Sequence, residues 1–243
     1  MLILATMKSM NSKTKAATAA SGPRSPGRPS LPVERILDTA LEIVDDEGAD
    51  ALSMRTLAQR LNSGTATLYR HYANRAELVE QVVDRVLGEV QLDAEAFKRS
   101  SWQEACMASA HATFGVIVRH RNVATLLAEN VPVGPNAMVL RERLIAVLLA
   151  NGFPPRLAAL AYATLARHVV GFATQLRVIG KESEPNDLKV SSRLRRLSRA
   201  EFPATLAVAR FLPVPLEEEF AFGMKLVVTG LERVLAAGGG SKR

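Results

Sequence analysis

Between residues 51 and 76 the chain carries four arginines, Arg55, Arg60, Arg70 and Arg75, and no Asp or Glu. Among them stand Thr65, Thr67, Tyr69 and His71. Hydroxyl and imidazole groups donate to phosphate oxygens, and an arginine reads a guanine edge through two hydrogen bonds. Residues 34–50, just upstream, hold seven acids against one arginine, so the signs are segregated. An acid-free patch beside an acidic one suits a phosphate backbone on one side and solvent on the other. Bond-breaking chemistry finds no such constellation. His71, His111, His120 and His168 have no HExxH spacing, and neither a GxSxG motif nor a phosphate-cradling glycine loop occurs near them. The expectation is a binding protein, not an enzyme.

The arginine-rich stretch reads as two short helices and a tight turn. Ser53 is placed to cap a helix whose inward positions are Leu57, Ala58 and Leu61. Asn62 tolerates the left-handed turn that ends it, and Gly64 frees the backbone before a second helix expected over residues 65–72. Thr65, Ala66 and Thr67 make the start of that second helix small enough for a major groove about 12 Å wide, while Leu68 points back at the first.

The run LAQRLNSGTATLYRHYANRAEL resembles the TetR family of bacterial transcriptional repressors, through Leu57, Ala58, Leu61, Leu68, Tyr69, His71, Asn74 and Leu78 at matching spacings. It departs from the family pattern at Asn62 in place of a turn glycine, Ser63 in place of an apolar residue and Gly64 in place of a Ser cap. Tyr72 replaces a Phe and Arg75 a Lys. Loss of the cap costs about 1 kcal/mol. The resemblance implies a double-stranded operator as partner, with Arg55, Thr65, Ala66 and Arg70 facing base edges and Thr67, Tyr69, His71 and Arg75 holding phosphates. Arg60 reads as a surface charge.

Around this unit the chain is all-α, since no run alternates at period two over a strand's length. Residues 1–30 have five basic residues and no acid, a disordered arm in which Arg28 could enter a minor groove or stay solvated. The DNA-binding domain is expected over residues 31–76, opening with a helix from Pro32 to Glu47. A connector helix over residues 77–92 starts at an Asn74–Glu77 capping box. A helical domain over residues 93–237 carries effector binding and dimerisation, and residues 238–243 form a flexible tail. Within that domain the periodicity gives helices over residues 102–118 behind a Ser101–Glu104 capping box, 123–128, 136–151, 154–179, 204–210 and 216–236. The basic segment 181–199 reads as a solvated loop.

The composition fits a nucleic-acid binder: 48% hydrophobic residues, a formal charge of +7 and a pI near 9.9. Residues 2–4 are too short an apolar run for a signal sequence, and the greasiest region, 144–162, is broken by Asn151, Gly152, Pro154, Pro155 and Arg156, so no span is expected. The lone Cys106 excludes an intrachain disulfide and fits a small core residue in a reducing cytoplasm.

Two helices have apolar faces that a monomer would struggle to cover. Leu157, Leu160 and Thr164 line one, and Phe220, Met224, Val227, Val228 and Leu231 the other; they suggest a homodimer. Residues 220–232 resemble the closing helix of the tetracycline-repressor subfamily, where such pairs form a four-helix bundle. An effector site is expected between residues 102 and 175. Met107, Phe114, Leu127, Met138 and Phe172 would supply apolar walls, and His111, Arg141, His168 and Gln175 the orienting groups. Each of these side chains also fits an ordinary core or surface role. The resemblance aligns Leu127 and Gln175 with the His and Glu that help tetracycline repressors hold drug-bound magnesium. Neither supplies a carboxylate, so a small apolar or aromatic effector without metal or other cofactor is expected. A ligand-independent or architectural DNA-binding protein is the alternative.

Overall fold

The two short helices of the arginine-rich stretch stand within an array of twelve α-helices in a computed structural model that describes residues 31–129, 131–175 and 183–239. Among the described residues there is no strand. The first helix, α1 (Val33–Glu47), buries Ile36, Leu37, Ala40, Ile43 and Val44, one stripe at helical spacing, and stops at Gly48, where φ is 94°. A 3-10 turn, Ala49–Ala51, leads to α2 (Met54–Arg60). Ser53 caps α2 by accepting the Thr56 N–H at 3.0 Å. Asn62 takes the left-handed conformation at φ 49°. The Asn62 N–H donates to the Gln59 carbonyl at 3.1 Å and the Ser63 N–H to that of Ala58 at 2.9 Å, so the freed carbonyls at the end of α2 are closed off.

α3 (Thr65–Leu68) is shorter than the helix expected over 65–72. Gly64 offers no side-chain cap. Beyond Leu68 the chain tightens into three-residue turns, with the Arg70 N–H on the Thr67 carbonyl at 3.3 Å and that of His71 on Leu68 at 2.9 Å. α4 (Arg75–Leu87) follows, ending before residue 92. Asn74 caps it by accepting the Glu77 N–H at 3.0 Å, but the Glu77 carboxylate reaches back to the Ala73 N–H at 2.6 Å, one residue earlier than a capping box requires. Acids of α1 meet α4, where Arg85 pairs with Glu34 at 2.8 Å and Asp38 at 2.6 Å.

The remaining helices are α5 (Ala94–Arg99), α6 (Trp102–Arg119), α7 (Val123–Glu129), α8 (Pro135–Ala150), α9 (Pro155–Gln175), α10 (Ser183–Arg195), α11 (Pro203–Val208) and α12 (Leu216–Gly239). The six-residue α5 has no counterpart among the expected helices, and α10 occupies the basic segment expected as a loop. α10 has no strong apolar stripe to betray it; Leu188 is 73% exposed, and Ser191 Oγ ties the helix to the Leu212 carbonyl at 3.0 Å. At α6 the Ser101–Glu104 box is complete. α9 packs against α6, α7, α8 and α12, burying Ala158, Ala161, Leu165, Val169 and Ala173. As expected, Pro154 and Pro155 open this helix; by length and composition alone it is apolar enough to cross a bilayer, a test that a core helix packed on four others also passes. The arm over residues 1–30, the end of α9 expected near residue 179 and the last residues of the tail lie outside the described residues.

One expected face is corrected. Phe220, Met224 and Val228 are buried within the chain itself, in contact with α6 and α9, so they are core and not a surface awaiting a partner. Phe220 stacks on Phe114 at 4.1 Å between ring centroids and meets His111, His168 and Phe172 at 5.3, 5.3 and 5.7 Å. The uncovered apolar side chains of α12 are instead Phe222, Leu226 and Val234, at 62%, 57% and 52% exposure.

Candidate nucleic-acid interface and effector cavity

Leu57, Leu61 and Leu68 are buried where α2 meets α3, which fixes one helix against the other and leaves the polar side of both in solvent. Arg55, Thr65, Ala66, Tyr69 and Arg70 are exposed, and Thr67 and His71 are half-buried. Arg70 Nη2 donates to Thr67 Oγ1 at 3.3 Å, a contact that aligns the guanidinium along α3. Arg75 is differently used. Its Nε donates to the Leu52 carbonyl at 2.6 Å and its Nη2 to that of Ala49 at 2.9 Å, so it pins the turn between α1 and α2 and offers a phosphate only its remaining N–H groups. Arg60 pairs with Glu47. Behind this face the Tyr72 hydroxyl is buried without a hydrogen-bond partner among the described residues. Burial, then the nearby Glu77 and Glu34, raises its pKa above the ordinary tyrosine value.

A cavity of about 120 Å³ lies farther along the chain. α6 contributes Cys106, Ser109, Ala110, Thr113 and Ile117, a stripe three to four residues apart; α8 contributes Ala137, Leu140, Arg141 and Leu144. α9 closes it with Tyr162, Leu165, Ala166, Val169 and Val170, and Leu127, Pro132 and Leu87 of α4 complete the wall. Burial pushes the Cys106 thiol up to about 12.

Of the effector residues expected from sequence, Leu127 and Arg141 reach this cavity. Phe114 and His111 turn toward Phe220, with His111 Nδ1 2.8 Å from the Met107 carbonyl. Met107 is half-buried, and Met138 is 43% exposed, its sulfur accepting from Arg141 Nη1 at 2.8 Å. His168, Phe172 and Gln175 line a separate, more polar hollow beside residues 213–219, where His168 Nε2 lies 3.2 Å from the Phe220 carbonyl. Ser109, Thr113 and Tyr162 were missed. The spacing 106, 109, 113, 117 on α6 was the available signal.

Two links join the cavity's helices to the helices that carry and flank the arginine-rich stretch. Asp84 of α4, 5% exposed, accepts the Asn136 and Ala137 N–H groups at the start of α8 at 3.2 and 2.9 Å. His120, just past α6, has Nδ1 2.7 Å from Asp45 of α1 and Nε2 3.2 Å from Glu89.

Comparison with known proteins agrees with this layout. The profile described as "Bacterial regulatory proteins, tetR family" matches residues 36–82, and that described as "Tetracyclin repressor-like, C-terminal domain" matches residues 96–235. An HTH-type transcriptional regulator of Saccharopolyspora erythraea is 28% identical over 204 residues, covering 80% of this chain and 86% of that protein. The HTH-type transcriptional repressor DrrR1 of Streptomyces coeruleorubidus is 26% identical, covering 86% of this chain and 80% of its own length. The crystal structure of Streptomyces coelicolor ActR in complex with actinorhodin superposes with a TM-score of 0.75 at 32% identity, covering 84% of this chain and 98% of ActR. With matches that run through both the reading helices and the helices around the cavity, the chain belongs to the TetR family of transcriptional regulators.

Proposed function

We propose that this regulator is a homodimeric repressor that holds a palindromic operator with α3 and releases it when a small apolar or aromatic molecule fills the cavity. The observation that carries the reading is the position of α4. Its Leu87 is part of the cavity wall, and its Asp84, one turn earlier, grips the start of α8, which supplies four more wall residues. Displacement of that wall is therefore felt by the helix that begins at the reading unit. A ligand acts only through its preference for the DNA-incompetent arrangement, and a differential of a few kcal/mol is sufficient.

Dimerisation is supported by a free apolar stripe on α12, Phe222, Leu226 and Val234, and by Leu160 on α9, 51% exposed. Gly171 and Gly230 open onto empty space, which lets a second backbone come close. Leu157, Val227 and Leu231 are half-buried, and Thr164 is exposed, so these expected seam residues remain in the proposed interface. The wall residues of the cavity include no carboxylate or histidine, and Gln175 stands elsewhere, so we read the effector as metal-free and the protein as needing no cofactor.

Selection of bound sequences from random duplexes tests the DNA reading: an inverted repeat with half-sites on one DNA face is expected, and recovery of no inverted repeat would overturn it. Screening small molecules for release of that operator tests the rest. Release by none of them would favour a ligand-independent regulator.

A further inference from the structure

We infer that the effector is an anion, a compact aromatic carboxylic acid whose ring lies among the apolar walls while its carboxylate takes Arg141. This rests on the reading of the cavity as the effector site. The polar groups in the wall are Ser109, Thr113, Arg141 and Tyr162, and Arg141 is the one charge. Its guanidinium is held by neutral acceptors: Nε donates to Tyr162 Oη at 3.1 Å, Nη2 to the Pro132 carbonyl at 2.7 Å and Nη1 to Met138 Sδ at 2.8 Å. Among the described residues no carboxylate lies within ion-pair distance of it.

A half-buried cation without a counter-ion is costly to keep, and a leucine or methionine would finish an apolar wall at lower cost. An arginine has five N–H donors in a planar fork that matches a carboxylate. Three donors are engaged here, which leaves two for a ligand. Tyr162 accepts from Arg141 and so keeps its own hydrogen to donate to a second ligand oxygen. A cavity of roughly 150 Å³ admits benzene and this one measures about 120 Å³, so the ligand is limited to a single ring and the cavity walls must give slightly to take it.

The charge also supplies a trigger. A carboxylate held by the free N–H groups of Nη1 and Nη2 pulls on the guanidinium that Nη2 ties to the Pro132 carbonyl, in the loop that leads into the start of α8 held by Asp84. A neutral ligand of the same shape lacks that lever.

The test measures calorimetric Kd values on the full chain for benzoate and 4-methylbenzoate against benzamide and 4-methylbenzamide. Arg141→Met, Arg141→Lys and the cavity-filling Ala166→Phe are compared with the unaltered protein. The acids are expected to bind the unaltered protein at least about tenfold more tightly than the amides. Arg141→Met should erase that preference, weakening the acids far more than the amides, while Arg141→Lys should retain part of it; amide binding that persists in Arg141→Met also reports that the cavity is intact. Equal affinity for acid and amide, both lost on Ala166→Phe, would overturn the anion inference and leave the cavity reading standing. Binding that survived Ala166→Phe would overturn the cavity reading itself. No saturable binding of either acid up to millimolar concentration would overturn the assignment to this ligand class.

Discussion

The Asp84 carboxylate on α4 accepts the backbone N–H of Ala137 on α8 at 2.9 Å, within the protein interior. α8 has no side-chain cap of its own, because Gly134 stands at its N-cap, and Asp84 occupies the space a Cβ at residue 134 would need. One helix thus caps another. The carboxylate sits at the positive end of the α8 dipole, where an anion is stabilising. Asp84→Ala is expected to cost about 1–3 kcal/mol in urea unfolding by stranding two N–H groups. In operator-release assays it should also weaken the response to an effector more than it weakens DNA binding. An unchanged effector response would mean that the signal passes elsewhere, with the His120 contacts to Asp45 and Glu89 the other link available.

Arg70 and Arg75 should fail differently when truncated. Arg70 is exposed and touches Thr67 alone among the described polar groups, so Arg70→Ala is expected to relax specificity at one position per half-site with the melting temperature nearly unchanged. Arg75→Ala frees the Leu52 and Ala49 carbonyls and should lower thermal stability along with affinity. Equal melting curves for the two variants would show that the Arg75 contacts are not structural.

Tyr72→Phe removes a buried hydroxyl that has no partner among the described residues. Stability is expected to rise by about 1 kcal/mol, since an unpaired polar group is relieved at little cost in packing. Loss of stability in chemical unfolding would show that the hydroxyl is satisfied.

The seam of the proposed dimer can be separated from the core of α12. Leu226 is 57% exposed, so Leu226→Glu should give folded monomers by sedimentation and abolish tight operator binding. Met224 is fully buried, and Met224→Ala should instead lower unfolding free energy by roughly 2–5 kcal/mol with the dimer retained. A dimeric Leu226→Glu protein would exclude this face as the interface.

Cys106 sets an alkaline limit. Its thiol is raised from an ordinary 9.0 to about 12 by burial. Above pH 9 the unfolded chain loses this proton while the folded chain keeps it, so the folded state binds more protons and stability falls as pH rises through that window. Urea midpoints should therefore decline from pH 9 upward, and Cys106→Ala should remove part of that slope. The folded thiol should also resist alkylation at pH 8 and react once unfolded. Rapid alkylation of the folded protein would contradict the burial.

Local signals were legible where chemistry and geometry coincide in a few residues. Ser53 capping α2, Asn62 at positive φ and the Ser101–Glu104 box all follow from the side chains concerned. What remained hidden was the choice between two apolar faces of one helix. α12 carries Phe220, Met224 and Val228 on one side and Phe222, Leu226 and Val234 on another, and periodicity alone cannot say which meets the core. The same ambiguity on α6 sent His111 and Phe114 toward α12 and left Ser109 and Thr113 for the cavity. The structural role of Arg75 was hidden because its acceptors are backbone carbonyls more than twenty residues away, which have no sequence signature.

The cavity draws one wall residue, Leu87, from α4 and none from α1, α2 or α3. On the proposed reading, the amino acids that select a ligand and those that select a DNA site are therefore separate sets, joined through the frame that Asp84 and His120 hold. Such a protein can drift in what it senses without revising where it sits on a chromosome, and the reverse. After a gene duplication, a few exchanges at Ser109, Thr113, Arg141 and Tyr162 would give a sensor for a different molecule under unchanged wiring. The conserved element across such descendants should then be the Asp84 grip on α8, while the walls diverge.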